Sequence, residues 1–349
     1  MALPAFDIQH ASSLERSVLE SLRRIPRRLD DARLPTELRT RFVRYWGAIE
    51  EAHEARRRAG RGAGNLPPWS SSVAGLFLMV ATSEGAALDD ELLDAAAGCE
   101  LYVLSVSLFD AIEDGELEGP MGDLPIPVMI NAALLMFMQA CEALLPLGER
   151  LPLERRRWLR ESFIGRSMIL GRGQHHDLRC VRPESLEQAI TRAQEKTEAI
   201  PMVAELAALA AGCEPPRAEQ YARIGRKSAL LRQCGNDLAG LYGKRRSLDL
   251  ETGKWTLPMV AYWEQADDAG RETLSRLRDA LPGSLDAIRR QLFDAGAVKA
   301  VALVMEHART EIHALLDALG QSDAPIAMVG AHADATASRL YSLPGARKP

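Results

Sequence analysis

Helical periodicity is the feature of this 349-residue sequence that most restricts what it can fold into. Apolar residues follow the helical spacing almost everywhere, whereas Val, Ile and Thr never alternate with polar residues over the length of a strand. Ala, Leu, Arg and Glu dominate the composition, and they are good helix formers. The sequence therefore predicts an all-α fold.

Glycine and proline mark the predicted ends of the helices. They concentrate at residues 60–68, 115–127, 182–183, 212–216, 243–253 and 282–283. No linker is long and polar enough to divide the chain, and no repeat of fixed period is present. We therefore expect a single domain over residues 1–349, with its core at about 15–335 and a frayed tail after about 341.

The charge balance excludes two classes of partner. The chain carries 43 basic and 48 acidic side chains, a formal net charge of −5, and no long Lys/Arg block. Neither nucleic acid nor an anionic membrane surface is predicted as a partner. The longest apolar stretch, 128–147, contains Asn131, Gln139 and Glu142. It therefore favours a buried core helix over a membrane span.

The cysteines and the first residues of the chain bear on the compartment. The 5 cysteines lie far apart, so no zinc knuckle or redox motif is predicted, and they are expected to be buried small side chains. The first residues contain no apolar run of the kind that directs secretion. Together these observations predict a cytoplasmic protein.

An acidic helix end supplies the first candidate site. Asp110 and Asp114 are four residues apart, which places both carboxylates on one helical face, and Glu113 lies beside them. Carboxylates at a helix C-terminus repel each other and the helix dipole unless a cation is present. Mg²⁺ suits such oxygen ligands. The alternative is a solvated acidic helix end without a ligand.

A second candidate site follows an apolar helix that ends in Asn236 and Asp237. The segment GNDLAGLYGKRRSLDLETGKWTLP continues with Lys244 and Lys254 in a Gly-containing loop. Oxygen ligands beside ammonium groups suit a metal-bound diphosphate. The alternative is a helix terminus followed by an exposed basic loop.

Five motifs in a fixed order resemble those of the trans-isoprenyl diphosphate synthases, also called polyprenyl synthetases. The resemblance runs from about Gly60 to Tyr262. FDAIED stands at the family's first DDxxD motif, GQHHDL at its GQxxDL, and Lys196-Thr197 at its KT. GNDLAG stands at the second DDxxD, and GKRRSLDLETGKWTLP has the spacing of the lysine loop that follows.

The resemblance implies a fold and a site. The fold is an all-α barrel of helices around a deep apolar cavity, with the two acidic motifs facing each other across its mouth. The implied substrate is an allylic prenyl diphosphate with Mg²⁺ as cofactor, and a homodimer is expected. The implied magnesium ligands are Asp110, Asp114 and Asn236, with Asp237 and Asp177 as further ligands. The implied diphosphate-binding residues are Lys196, Lys244, Lys254 and Gln174. Of these residues, Asp110, Asp114, Asn236 and Lys196 are the predicted catalytic groups.

The resemblance also bears on substrate length. In the family the floor of the cavity is set largely by the residues four and five positions before the first Asp. Those positions hold Val106 and Ser105, which are small, and Phe109 is predicted to line the same cavity. A C15 or C20 chain is therefore expected.

Several departures from the family pattern affect residues that would bind one substrate, isopentenyl diphosphate. Ala111 and Gly240 replace carboxylates of the two DDxxD motifs. GELEGP, with Glu116 and Glu118, replaces the family's paired arginines, and GRGAGNLPPW keeps only Arg61 of its GGKxxRP motif. Because each lost charge-assisted contact weakens binding by roughly 1.5–3 kcal/mol, isopentenyl diphosphate is predicted to be a poor substrate.

The leading prediction is therefore a terpene-synthase-like lyase. It would ionise one allylic diphosphate and convert the cation by cyclisation, elimination or capture by water. Asn236, Gly240 and Lys244 partly match the NDxxSxxxE metal motif of terpene cyclases, provided that their helix continues to Lys244. Two alternatives stay open: a prenyltransferase to isopentenyl diphosphate or another acceptor, and a non-catalytic regulatory subunit of a prenyl diphosphate synthase.

Overall fold

The computed structural model describes residues 8–31, 34–41, 44, 47, 51, 66–115, 122–149, 151–243, 250 and 252–338. Every regular element in these ranges is a helix, which confirms the all-α prediction. The predicted tail after about 341 lies outside the described residues.

The structure gives the bounds of the following helices. In chain order they are α1 (Ile8–Asp31), a 3₁₀ helix (Pro68–Ser71), α2 (Val73–Ser83), α3 (Asp90–Asp114), α4 (Ile126–Glu149), α5 (Leu153–Leu178), α6 (Leu186–Lys196), α7 (Ala199–Ala210), α8 (Pro215–Tyr242), α9 (Leu257–Gln265), α10 (Asp268–Asp279), α11 (Leu285–Asp294), α12 (Ala297–Leu319) and α13 (Ala327–Ser338).

The glycine and proline signals end helices where the sequence predicted. Gly115 caps α3 in the left-handed conformation, with φ of 71°, which a residue without a Cβ adopts at little cost. The predicted breaks at 182–183, 212–216 and 282–283 also separate or begin helices. Helix α8 ends at Tyr242, immediately before the predicted break at 243–253.

The chain divides into two compact units. The first comprises Met1–Arg166, Ala199–Gly225 and Leu315–His332, and the second comprises Ser167–Glu198, Arg226–Ala314 and Ala333–Pro349. The single domain over residues 1–349 stays a prediction.

Helix α3 is the centre of the first unit, where it packs against α1, α2 and α4. Small residues let α3 and α4 approach closely: a Cβ on Gly98 would lie 2.8 Å from Cβ of Ala143 and 3.2 Å from the carbonyl oxygen of Ala140. One turn of α3 also presents Glu100, which is buried and accepts the backbone N–H of Ala74 at 2.8 Å. Glu100 therefore satisfies an otherwise unpaired donor in the first turn of α2.

A half-buried carboxylate joins the three chain segments of the first unit. Glu84, at the end of α2, accepts two hydrogen bonds from Arg217, from Nε at 2.9 Å and from Nη2 at 2.7 Å. It also accepts the hydroxyl of Tyr221 and the amide of Gln321. Burial alone would raise the pKa of Glu84, but the hydrogen bonds from Arg217 and Tyr221 hold it below its ordinary value.

Helices α3 and α4 are, by length and composition, apolar enough to cross a membrane. Of the most apolar 18-residue window, 61% is buried in α3 and 39% in α4. Because core helices pass the same test, this is weak evidence for a span. The predicted core helix at 128–147 lies within α4, where one face is buried and the opposite face exposes apolar residues.

The second unit has a core of its own. Leu241, Met259, Leu274, Ile288 and Leu292 are buried together in it. Helix α6 packs against α9 in this unit, and α10 packs against α11. This packing fixes the end of α6, which carries Lys196, and the start of α9, which follows Thr256.

The first prediction concerns the Glu84 cluster. Glu84→Ala should lower the free energy of urea unfolding by about 3 kcal/mol, because it leaves partly buried donors of Arg217 and Tyr221 without an acceptor. Since the pKa of Glu84 is lowered in the folded state, its contribution is present above the ordinary value of 4.5 and is lost as the pH falls through the folded pKa.

Glu161→Ala is the matched control for this prediction. Glu161 forms an exposed pair with Arg157 at 2.7 Å, so its loss should change stability by less than about 1 kcal/mol. Equal, small losses in both variants would contradict the role assigned to Glu84.

Candidate functional site

The site in the second unit begins where α5 crosses the end of α6 at Gly173. A Cβ on Gly173 would lie 2.3 Å from the backbone nitrogen of Lys196 and 2.4 Å from the carbonyl carbon of Glu195, so only glycine fits. Lys196 is the last residue of α6. Asp177 lies one turn beyond Gly173 on the same face of α5, within reach of the Lys196 side chain.

Two lysines share the carboxylate of Asp177. Nζ of Lys196 lies 2.7 Å from Oδ2 of Asp177, and Nζ of Lys254 lies 2.8 Å from the same oxygen. Burial opposes ionisation of Asp177, but the two ammonium groups outweigh it and hold the pKa of this carboxyl below its ordinary value. Lys254 is only 7% exposed. The arrangement concentrates positive charge in a largely dehydrated place, where an anion is attracted most strongly.

The turn that carries Lys254 is held by an arginine and a tryptophan. Arg278 donates from Nη2 to the carbonyl oxygen of Gly253 at 2.7 Å, and its guanidinium carbon lies 4.0 Å from the ring centre of Trp255. The Trp255 ring meets Trp263 edge to face at 5.2 Å. These contacts fix the residues on both sides of Lys254 and therefore the direction of its side chain.

Asp237 has structural partners in this unit. Its Oδ1 accepts the amide of Gln233 at 2.8 Å, and its Oδ2 accepts the backbone N–H of Leu257 at 2.8 Å. The carboxylate therefore caps the first turn of α9, where the helix dipole favours negative charge. Its neighbour Asn236 is exposed on α8. The roles of Asp237, Asn236 and Asp177 as magnesium ligands stay predictions.

The lysines line a pocket of about 80 Å³, which has room for a few water molecules. Besides Lys196, Lys254 and Asp177, the lining includes side chains that the sequence did not single out: His176, Cys180, Arg192, Gln233, Trp255 and Thr256. The tryptophan and the threonine belong to GKWTLP, so their place in that motif was the available signal. Arg192 carried no comparable signal, because it falls in an ordinary helical stretch of α6.

The first acidic motif lies in the other unit. Asp110 and Asp114 occupy the last two turns of α3, both partly exposed, and no Lys or Arg falls in the last turn of that helix. Asn236 and Asp237 belong to the second unit. The facing of the two acidic motifs across a common opening therefore stays a prediction.

The predicted cavity residues also belong to α3. Ser105 is fully buried, and its hydroxyl donates to the carbonyl oxygen of Tyr102 at 2.7 Å. Tyr102 packs against the rings of Phe137 and Phe163, at 5.6 and 5.5 Å between ring centres. Val106 and Phe109 are partly buried. The lining of a prenyl cavity by Ser105, Val106 and Phe109 stays a prediction.

Several of the predicted site residues lie outside the described residues, and one predicted motif is interrupted by the end of a helix. Lys244, Arg61, Glu116 and Glu118 are not among the described residues. The helical match to the terpene cyclase motif required α8 to reach Lys244, and that condition fails because α8 ends at Tyr242. Gln174 lies partly buried on α5, and its binding of diphosphate stays a prediction.

Comparison with known proteins finds similarity through structure. No protein-family model matches the sequence, and no curated protein matches it at a significant level. A polyprenyl synthetase from Streptomyces coelicolor A3(2) matches with a TM-score of 0.70 and 22% sequence identity, over 94% of this chain and 99% of that one.

Two further solved structures match to a similar extent. A decaprenyl diphosphate synthase from Rhodobacter capsulatus has a TM-score of 0.75 and 16% identity, with 95% of this chain and 98% of that one covered. A polyprenyl synthase from Caulobacter crescentus CB15, complexed with calcium and isoprenyl diphosphate, has a TM-score of 0.68 and 19% identity, with 93% and 96% covered. The chain therefore has the all-α isoprenoid synthase fold of these proteins.

The site generates a prediction for Asp177. In Asp177→Asn, no carboxylate competes for the two lysines, so inorganic diphosphate should bind about tenfold more tightly in the absence of metal, as measured by calorimetry. The variant should also unfold at lower temperature at neutral pH, because the ion pairs are lost. Since the folded pKa is lowered, this difference should disappear as the pH falls below the ordinary value of 3.8.

Asp268→Asn is the control for this prediction, because Asp268 is fully exposed at the start of α10. It should change neither affinity nor stability measurably. Unchanged diphosphate affinity in Asp177→Asn would contradict the competition.

Proposed function

We propose that this protein is a Mg²⁺-dependent prenyltransferase that transfers the prenyl group of an allylic diphosphate to an acceptor. The observation that carries the proposal is the convergence of Lys196 and Lys254 on one carboxylate inside a pocket. Both lysines come from motifs that resemble diphosphate-binding segments. The solved structures with the same fold include a decaprenyl diphosphate synthase and a polyprenyl synthase with isoprenyl diphosphate bound, and these support the substrate class.

The lysines have a defined part in the reaction. Transfer begins when the bond between the allylic carbon and the diphosphate oxygen breaks, which leaves a cation and a diphosphate anion. Ammonium groups that already point at the departing oxygens stabilise the developing negative charge without reorganisation. Lys254 is largely shielded from water, which strengthens its electrostatic effect. In this proposal the diphosphate replaces Asp177 as the partner of the two lysines.

The acidic end of α3 fits a magnesium ion. Asp110 and Asp114 lie in the last two turns of α3, at the negative end of the helix dipole. No group of three or more His, Cys, Asp and Glu side chains suited to a metal ion occurs within the described ranges. A pair of carboxylates still fits Mg²⁺, because that ion commonly takes one or two carboxylates and completes its shell with water and substrate phosphates. The chemistry that bound Mg²⁺ supplies is neutralisation of negative charge on phosphate oxygens.

The activity assay uses C10, C15 and C20 allylic diphosphates with Mg²⁺, each with and without isopentenyl diphosphate, followed by mass spectrometry of the products. We expect a longer prenyl product or a prenylated acceptor. Lys196→Gln should lower kcat/KM by about 100-fold, because it removes a group that stabilises the leaving diphosphate. Lys299→Gln, on α12 and outside the pocket lining, should retain activity.

A second candidate function is ionisation of a single allylic diphosphate followed by cyclisation, elimination or capture by water. The loss of arginines from GELEGP and the reduction of GGKxxRP to GRGAGNLPPW favour it, because both weaken a second diphosphate site. A hydrocarbon or alcohol formed equally with and without isopentenyl diphosphate would support this candidate over transfer. Protein that binds prenyl diphosphates but leaves all of them unchanged would instead indicate the regulatory subunit.

We also propose that the protein is a homodimer joined through α4. Ile126, Ile130, Leu134, Met138 and Leu145 follow one face of this helix and are 44–67% exposed. A contiguous apolar face of this kind marks an interaction surface. The sequence of α4 contains no Lys or Arg, whereas helices that lie on membranes usually carry them. A second copy therefore suits the face better than a lipid surface.

The dimer is tested by light scattering after gel filtration. The wild type should have twice the mass of the 38.3 kDa chain, and the double variant Leu134→Glu/Met138→Glu should be a monomer. Leu303→Glu, at an exposed apolar position of α12, is the control and should remain a dimer. A monomeric wild type would contradict the proposal.

A further inference from the structure

Thr256 stands at the start of α9 without the hydrogen bond that a threonine usually makes there. It is the N-cap residue of this helix, with φ of −75° and ψ of 155°, yet its side chain caps nothing. An N-cap hydroxyl normally accepts an N–H from the second or third residue of the helix. Here the second residue is Pro258, which has no N–H, and the third residue makes no hydrogen bond to the Thr256 side chain. The N–H of the first residue, Leu257, is taken by Asp237 at 2.8 Å.

The hydroxyl of Thr256 is buried and unpaired. The residue is 7% exposed, and Oγ1 has no hydrogen-bond partner within the described part of the chain. Buried polar atoms of native proteins nearly always have a partner, so such an atom calls for a ligand or an ordered water. Thr256 also lines the pocket that contains Lys196 and Lys254. An unused donor therefore lies in the wall of a cationic pocket.

The side chains in the wall of this pocket indicate the kind of ligand that it binds. A hydroxyl beside two ammonium groups supplies donors of different geometry, which suits an anion with several acceptor oxygens. The carboxylate of Asp237 is already engaged by Gln233 and Leu257, and that of Asp177 by the lysines. Rotation about χ1 moves Oγ1 of a threonine to the staggered position held by its methyl group or by the hydrogen on Cβ, and donation into the pocket requires such a rotation of Thr256.

We propose that Thr256 donates its hydroxyl to a diphosphate oxygen of the ligand that Lys196 and Lys254 hold. The inference rests on the proposed function and adds a binding residue to its site. In this role Thr256 fixes the orientation of the diphosphate, because two lysines on flexible stems neutralise charge but leave rotation of the anion free. The backbone of Thr256 is fixed at the N-cap of α9, and its short side chain makes a third contact with fewer rotatable bonds than a lysine.

The test measures binding and stability together. Thr256→Val removes the hydroxyl and keeps the shape, so inorganic diphosphate with Mg²⁺ should bind at least tenfold more weakly by calorimetry. The melting temperature of the free protein should stay the same or rise, because an unpaired buried hydroxyl is replaced by a methyl group. Thr256→Ser retains the hydroxyl and should bind diphosphate within about threefold of the wild type.

The controls separate this inference from the proposed function. Thr273→Val, on α10, removes a hydroxyl that donates to Ala269 and should leave diphosphate affinity unchanged. If Lys196→Gln and Lys254→Gln weaken diphosphate binding but Thr256→Val does not, the role of Thr256 is refuted and the site stands. If neither lysine variant weakens binding, the proposed site itself fails. A melting temperature of Thr256→Val several degrees below the wild type would show that the hydroxyl has a structural partner, which also refutes the inference.

Discussion

Lys196 and Lys254 both place an ammonium group on the carboxylate of Asp177, and much of the second unit serves to hold them there. Because Gly173 has no Cβ, the end of α6 packs directly against α5, and this contact positions Lys196. Arg278 donates a hydrogen bond to the carbonyl oxygen of Gly253, the residue before Lys254. Two cations would repel each other in a space of low polarity, so the shared carboxylate is what allows them to remain together without a ligand.

The carboxylates of the two units have different roles. In the first unit, Glu84 and Glu100 satisfy donors at helix ends and between chain segments. Hydrogen bonds lower the pKa of Glu84, whereas burial raises the pKa of Glu100. Asp237 has a comparable structural contact at the start of α9. Asp177 differs, because its partners are the ammonium groups of two lysines, and a more highly charged anion can take its place. A ligand can therefore replace the carboxylate of Asp177, whereas the other three carboxylates stabilise the helices.

The helices were predictable from the sequence, and the contacts of the site were not. Gly115 ends α3 through local conformation alone, which a sequence reveals. The motifs likewise drew attention to Lys196 and Lys254. Their meeting on Asp177 depends on packing between α5, α6 and the turn before α9, because Asp177 and Lys254 are far apart along the chain. Spacing also could not reveal that the Thr256 hydroxyl caps nothing.

A crystal structure of the protein with Mg²⁺ and inorganic diphosphate is the most direct test of the central claim. The account predicts diphosphate oxygens within hydrogen-bond distance of Nζ of both Lys196 and Lys254, with the carboxylate of Asp177 released from at least one of them. Diphosphate bound elsewhere, with both ammonium groups still on Asp177, would contradict it.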